Sequence, residues 1–350
     1  MTTPRHTLDP ALSWIAANPA ARASVVRSLI EIERNMPYRE GFNIRDEVTG
    51  PIVDRLFAHG EMVTKTLADG LMISCRYTSK IARDFVMAHR DPPDHVWEPQ
   101  TTRLLPHLAR GARHVVVGGA YFGDQSTPLA REVAPTGVVH CFELSPDNAE
   151  MLELNARQND LANVRVSRTG LWSRETSLSL AGSDAYAAPL AAPGGRFAAT
   201  TLDAYLDRQG IDRIDLVMLD IEGGELEALR GAAGQLGKSP GESPALVFEV
   251  HAAYVDWSGG LRSSCIVRFV ESHGYCCYCV RDYNSNVSMV GRPIELIPAD
   301  DVHLDGPPHG FNVVAVKRPE LLDPEIFSFC RGVSPKLLFH RDPRLHAPLA

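Results

Sequence analysis

The run Ile214-Asp-Leu-Val-Met-Leu-Asp220-Ile-Glu222-Gly223-Gly-Glu225-Leu carries carboxylates where packing alone has no use for them. Leu216 to Leu219 is an apolar run too short for a helix, and Asp220 and Glu222 follow it directly, with helical spacing resuming at once. Such a run reads as a buried parallel strand delivering both acids to the carboxyl edge of a sheet, where open α/β folds bind ligands. A second apolar run, 245–250, carries Glu249 and closes on His251. Two residues apart on a strand, Glu249 and His251 face the same side. Acids and an imidazole at neighbouring strand ends suit removal of a proton from an acceptor. His251 is the first candidate base, because imidazole changes charge near neutral pH. The alternative is a satisfied structural histidine, and Glu222 could instead cap the helix that begins near Gly223. Asp220, Glu249 and His251 also form a set able to hold a magnesium-type ion, a reading ranked behind metal-free base catalysis.

A second cluster lies upstream. Val117-Gly118-Gly119-Ala120-Tyr121-Phe122-Gly123-Asp124-Gln125 is a glycine-rich turn between a strand and a helix. Glycines there let backbone approach a ligand closely, and the helix start offers free N–H groups. The next strand ends in Phe142-Glu143-Leu144-Ser145-Pro146, with Glu143 20 residues beyond Gly123. Nucleotide-binding sheets set an acid at that position to hold the ribose hydroxyls. A capping or solvated carboxylate is the blander reading of Glu143, and its place at a strand end favours the ribose. Ser145 reads as an N-cap with Pro146 at the first helical position. These two motifs suit a dinucleotide or S-adenosylmethionine alike.

The elements that position these residues alternate. Strands are predicted over 113–117, 138–142, 164–168, 216–219, 245–250, 275–280 and 312–317, and helices over 127–133, 146–159, 202–209, 225–233 and 263–273. Strand and helix in alternation build a doubly wound α/β sheet, mostly parallel. The last two strands have no helix between them and are therefore expected to pair antiparallel. Their connection, 282–310, is rich in Pro and Gly and long enough to suggest a lid or substrate loop. Ahead of the sheet, apolar spacing at Ala11, Leu12, Ile15 and at Val25, Val26, Leu29, Ile30 predicts two helices separated by Pro19. A further helix is expected over 51–59, and Asp69-Gly70 predicts a hairpin between 62–67 and 71–77. Pro92-Pro93 marks a joint, and 319–350 reads as an irregular tail packed on the surface or on a partner.

The chain has 350 residues, 44% hydrophobic and 22% charged, with a net charge of -8. That is ample for a large core and ordinary for a globular protein. The acid balance and the absence of a basic stripe argue against nucleic acid as a partner. No apolar stretch approaches bilayer-spanning length, so no membrane partner is expected. Seven scattered cysteines, with one cluster at Cys276-Cys277-Tyr-Cys279, lack zinc spacing and read as free thiols in a reducing cytoplasm.

The stretch from Glu143 to Val164, then Thr200-Thr201-Leu202-Asp203-Ala-Tyr205-Leu206, Ile214 to Ala232, and Val247-Phe248-Glu249-Val250-His251 come in an order and spacing shared elsewhere. With Trp97-Glu98-Pro99 before the first strand, they closely resemble the FkbM-type family of S-adenosylmethionine-dependent methyltransferases. The most specific runs are Asp-x-Glu-Gly-x-Glu-Leu at 220–226 and Phe-Glu-x-His at 248–251. The resemblance implies a seven-stranded, Rossmann-like methyltransferase sheet with an antiparallel last strand over 101–318. Residues 1–100 would then be a helical and hairpin extension serving as a lid, an acceptor-binding unit or a homodimer contact. It places Gly119 and Gly123 along the methionine end of the cofactor and Glu143 at the ribose, with Gly118, Ala120, Tyr121, Asp124, Gln125 and Leu144 also among the cofactor-binding residues. Leu171 and Trp172 would flank the adenine, although Trp172 could equally be core. Asp220 would approach the methionine amine, and Glu98 would reach the same cavity. Three departures stand out: Val117 where the family usually has Asp, Tyr121 where a small or amide residue is usual, and Met218 where a lysine is frequent. The expectation is that the Tyr121 ring turns outward and that Asp124 or Gln125 replaces the lost polar contacts. The implied activity is O-methylation of a hydroxyl on a sugar, glycoconjugate or secondary metabolite. The rival readings are a nicotinamide-dependent oxidoreductase and a non-catalytic binding protein of the same fold.

Overall fold

The structure is a computed structural model, and it describes residues 5–36, 41–88, 98–182, 188–283, 287–306, 309–338 and 340–349. Pro92, Pro93 and Trp97 lie outside the described residues. The chain opens with α1 (Arg5–Ala16) and α2 (Pro19–Asn35), then a wide helical turn over Arg45–Thr49 that runs into α3 (Gly50–Val53). Asn18 caps α2 by accepting from the Ala20 and Ala21 amides, and Pro19 starts the helix where no N–H is needed. The helix expected over 51–59 therefore begins earlier and ends after one turn. The wide turn is held from its side chains, since Arg45 pairs with both Glu33 and Asp84. The predicted hairpin is present as β1 (Met62–Thr66) and β2 (Met72–Arg76), antiparallel, followed by α4 (Lys80–Val86).

The α/β part runs α5 (Pro99–Leu108), β3 (His114–Gly118), α6 (Ser126–Val133), β4 (Val138–Phe142), α7 (Pro146–Gln158) and β5 (Val164–Ser167). A small four-stranded sheet follows: β6 (Gly170–Leu171), β7 (Thr176–Ala181), β8 (Ala188–Ala191) and β9 (Phe197–Thr200). Then come α8 (Leu202–Gln209), β10 (Leu216–Leu219), α9 (Glu225–Arg230), α10 (Ala233–Leu236), β11 (Ala245–His251) and α11 (Cys265–Ser272). The chain ends with β12 (Cys276–Val280), β13 (Asp282–Tyr283), β14 (Ile294–Pro298), β15 (Gly310–Val316), β16 (Phe327–Phe329), β17 (Lys336–Leu337) and α12 (Pro343–His346).

Among the described residues the central sheet has nine strands in the order β16-β14-β12-β15-β11-β10-β3-β4-β5. The seven expected strands are its consecutive core, and β15 pairs antiparallel with both β11 and β12. The two further strands, β14 and β16, extend the β12 edge. They come from the long connection and from the tail, neither of which was expected to add to the sheet. Side chains alternate across it: Val116, Val217 and Phe248 pack into one apolar layer, and Val115, Val117, Met218 and Val247 into the other. That two-sided burial is why these strands read as continuous apolar runs.

The N-terminal module has its own core, built on Leu29, Val53, Leu56, Ile73 and Phe85, and it shares Phe122 and Met151 with the sheet domain. Asn155 fastens the two together from the buried side of α7. Its Nδ2 donates to the Ser74 and Phe122 carbonyls at 2.8 and 2.7 Å, and its Oδ1 accepts from the Ser74 amide at 2.8 Å. Asn155→Ala would leave three buried backbone groups unpaired and is expected to cost about 3 kcal/mol of stability. Urea denaturation of the two chains measures this, and a midpoint unchanged from the parent would contradict it.

Candidate active site

The carboxyl ends of β3, β4, β10 and β11 meet at one cavity of about 470 Å³. Parallel register sets Gly118 beside Leu219, and Leu219 beside Phe248, so the residues that follow face one another. The approach is close. A Cβ at Gly119, where φ is +73, would overlap the Asp220 carbonyl, so only glycine fits the turn.

On the β3–β4 flank, Glu143 is buried and accepts from the Tyr121 amide and the Ser145 amide, each at 2.8 Å. Burial pushes its carboxyl up to about 6, against the pull of those amides. Ser145 does cap α7, with Pro146 at its start. Gly118, Gly119, Ala120, Asp124, Gln125 and Leu144 all border the cavity with Glu143. Tyr121 borders it too, in a left-handed conformation at φ +47. Its ring leans on Phe122, centroids 4.6 Å apart, and packs against the N-terminal core. Gln125 bonds Thr102 rather than a loop amide. Val117 is buried, leaving the glycine turn to be braced by the Glu143 carboxylate instead of an acid at that strand end.

Leu171 lines the cavity and Trp172 does not. The indole is buried with Leu178 and Ala199 and abuts Gly224, so of its two readings the structure places it in the core. Gly123 is likewise absent from the lining, because at φ +88 it backs onto Leu152 of α7. The wall beyond Leu171 comes from the small sheet, through Leu178, Leu180 and Pro189. The alternation in Thr176-Ser-Leu178-Ser-Leu180 is a period-two signal that marks a half-buried strand, and it was the available clue.

Asp220, Glu222 and Glu249 border the opposite flank, each offering a carboxylate oxygen within 4.8 Å of the others. Burial and mutual repulsion, with Glu98 and Glu225 adding to it, hold Asp220 and Glu249 well above the usual carboxylate range. Burial and Glu225 push Glu222 up to about 7. The helix cap considered for Glu222 is not formed, since α9 has no side-chain cap; Glu225 instead braces the preceding loop, its carboxylate accepting from the Ile221 amide at 2.9 Å and the Gly223 amide at 3.0 Å. Glu222 is thereby left facing the cavity.

His251 lines the cavity, and its Nδ1 accepts from the Ala253 amide at 3.0 Å. Burial, with His309 and Lys336 nearby, lowers its pKa, so the ring is neutral at pH 7. A backbone N–H can only donate, hence the neutral ring carries its proton on Nε2 and presents a donor, not a lone pair. This geometry runs against the expectation of His251 as the base. It also keeps His251 out of the acidic trio: the set that could hold a metal is Asp220, Glu222 and Glu249, with Glu222 in place of the imidazole.

Glu98 is buried at the start of α5 and is held from two late elements. Lys336 of β17 donates to its Oε1 at 3.1 Å, and Asn312 of β15 donates to Oε2. Lys336 and His309 both line the cavity and escaped the sequence reading, since no motif surrounds either. The tail reaches the site because Arg281 clamps it, pairing with Glu295 and donating to the Ser334 and Leu345 carbonyls. Lys336→Met would strand the buried Glu98 charge and is expected to cost about 3 kcal/mol. Adding Glu98→Gln should recover most of that loss, and equal losses in thermal denaturation of single and double variants would refute the pairing.

Residues 118–275 match the family model described as the methyltransferase FkbM domain. The resemblance drawn from the strand-end motifs is therefore borne out over that stretch. No curated protein matches the chain in sequence. Among solved structures, it is similar to the methyltransferase FkbM from Methylobacillus flagellatus KT at 20% identity and a TM-score of 0.31. That match spans 40% of this chain and 33% of the other, so only a third of the Methylobacillus protein is covered. It is also similar to the O-methyltransferase TomG from Streptomyces achromogenes, at 16% identity over 65% of this chain and 83% of TomG, TM-score 0.35. The M. jannaschii protein TYW2 aligns at 14% identity over 74% and 86% of the two chains, TM-score 0.36. Among the described residues no helix is long and apolar enough to cross a membrane.

Proposed function

We propose that this chain, whose residues 118–275 match the methyltransferase FkbM domain, is an S-adenosylmethionine-dependent O-methyltransferase acting on a hydroxyl of a small molecule or saccharide. One observation carries the reading: a single cavity has Glu143 on one flank and Asp220, Glu222 and Glu249 on the other. The cavity volume is within the range of small-molecule sites. Its donor set also suits the cofactor. In this reading Glu143 would accept from a ribose diol, Leu144 and Leu171 would wall the adenine, and Asp220 would meet the ammonium, all four bordering the cavity. A nicotinamide cofactor would use Glu143 equally, but it would leave the acidic trio without a task.

When bound, S-adenosylmethionine supplies an electrophilic methyl whose bond to sulfur breaks as the acceptor oxygen takes it, leaving a neutral thioether. The chain's part is alignment and charge. The acids on the β10–β11 flank favour a cationic donor, and the glycine turn leaves room for its amino-acid end. The acceptor's proton passes to a carboxylate of the trio, while the Nε2–H of His251 donates a hydrogen bond to the acceptor.

The test is transfer of a labelled methyl from S-adenosylmethionine to hydroxylated acceptors, with the product's new bond located by NMR. Label on nitrogen or carbon, or none with any saccharide or phenol, would count against an oxygen acceptor. Glu143→Gln is expected to weaken S-adenosylmethionine binding by roughly 10- to 100-fold, the loss of charge-assisted bonds to a diol. The sign with pH follows from its ionisation. Binding needs the carboxylate, so in the parent chain affinity should fall as pH drops through about 6, by up to about tenfold per unit. Calorimetry should find a steeper slope in the parent than in the variant, where only the acids of the other flank still titrate, and parallel slopes would remove Glu143 from the cofactor.

A further inference from the structure

We infer that Asp220, Glu222 and Glu249 form a binding site for one hard divalent cation, of the Mg²⁺ or Mn²⁺ type, at the acceptor end of the cavity. The inference deepens the methyltransferase reading by naming an acceptor-side Lewis acid, but the site itself stands on three observations. The first is geometry. The three carboxylates come from separate positions on two strand ends, and one oxygen of each lies within 4.8 Å of the others. Neighbouring oxygens around a hard cation are about 3–3.5 Å apart and opposite ones about 4–5 Å, so the trio spans the upper part of that range and would draw inward on an ion.

The second is an orphan. Glu249 Oε2 is a buried atom that makes no hydrogen bond among the described residues, and it belongs to a side chain that borders the cavity. Buried polar oxygens in folded proteins are almost always paired, and an exception points to an ion, a water or a proton that completes it. The third is how the neighbouring donors are spent. Lys336 is engaged by Glu98, the Ile221 and Gly223 amides by Glu225, and the Ala253 amide by His251 Nδ1. Tyr254 reaches Glu222, but a neutral phenol does not offset three acids. What the site lacks is positive charge, and oxygen-only ligands select a hard ion over zinc or copper.

Each residue contributes one ligand oxygen, which leaves the second oxygen of a carboxylate free. An acceptor hydroxyl entering the cation's shell would be acidified there. Its proton would pass to that free oxygen, and the resulting alkoxide oxygen would form the new bond to the methyl carbon as the carbon–sulfur bond breaks. Methyl transfer stays balanced, with one proton on the trio and the thioether leaving neutral.

The experiment is titration of chelator-treated full-length chain with Mn²⁺, followed by electron paramagnetic resonance, without cofactor or acceptor. One Mn²⁺ per chain is expected, displaced by Mg²⁺. Asp220→Asn and Glu249→Gln should each weaken Mn²⁺ binding by at least about tenfold, while Asp69→Asn on the exposed hairpin leaves it unchanged. Circular dichroism of the variants separates lost binding from lost folding, and the wild-type result decides if either variant fails to fold. No saturable Mn²⁺ binding to the folded wild type at about 10 mM, well beyond weak hard-cation sites, would overturn the inference. So would binding untouched by both substitutions. S-adenosylmethionine affinity, measured on the same metal-free sample, keeps the two readings apart: retained cofactor binding without Mn²⁺ binding sinks only the cation, and the reverse sinks only the donor.

Discussion

Three half-buried carboxylates held side by side at the edge of one cavity are the constraint that the rest of this structure serves. Two like charges about 4 Å apart would repel by about 4 kcal/mol at a protein-like dielectric, and Asp220, Glu222 and Glu249 bring carboxylate oxygens within 4.8 Å of one another, which opposes their ionising together. Burial first, and neighbouring acids second, raise the pKa of all three, so they resist ionising together; the Tyr254 hydroxyl eases only Glu222. The chain tolerates the arrangement because two apolar layers, one on each face of the central sheet, fix the strands whose ends carry the acids. Stability resides in the body of the sheet and strain at its edge, the usual division in a site built for chemistry.

Other acids near the cavity are treated differently, which sets the trio apart. Glu143 braces the glycine turn through the Tyr121 amide, and Glu225 folds back onto the Ile221 and Gly223 amides. Glu98 is matched by Lys336 and Asn312. These carboxylates hold backbone or a cation of the protein and so shape the walls. The trio holds neither. A cavity with committed acids around one uncommitted group has a polarity of its own, with a structural flank and a reactive flank.

The distal elements matter for the same reason. Lys336 comes from residues that follow the sheet's last core strand, and it reaches Glu98 because Arg281 and Glu295 clamp the tail from inside the protein. The N-terminal module is tied on by Asn155 and shares apolar contacts with Phe122, one residue past Tyr121. Both ends of the chain thus bear on the cavity that the central strands define.

The alternation of strands and helices, the antiparallel last pair, the hairpin and the N-cap at Ser145 were all legible in one dimension, because each depends on residues near in sequence or on burial of both strand faces. Asp220, Glu143 and Glu249 could be singled out too, since a charge ending an apolar run is visible without coordinates. What folding alone decided were matters of partnership. Which of Glu222 and Glu225 braces the loop, which nitrogen of His251 is free, whether Trp172 faces ligand or core, and that Lys336 enters the cavity all depend on groups brought together from distant segments. Local pattern records the period of an element and the burial of its faces, and it carries no record of which hydrogen-bond donor a side chain will meet across the fold.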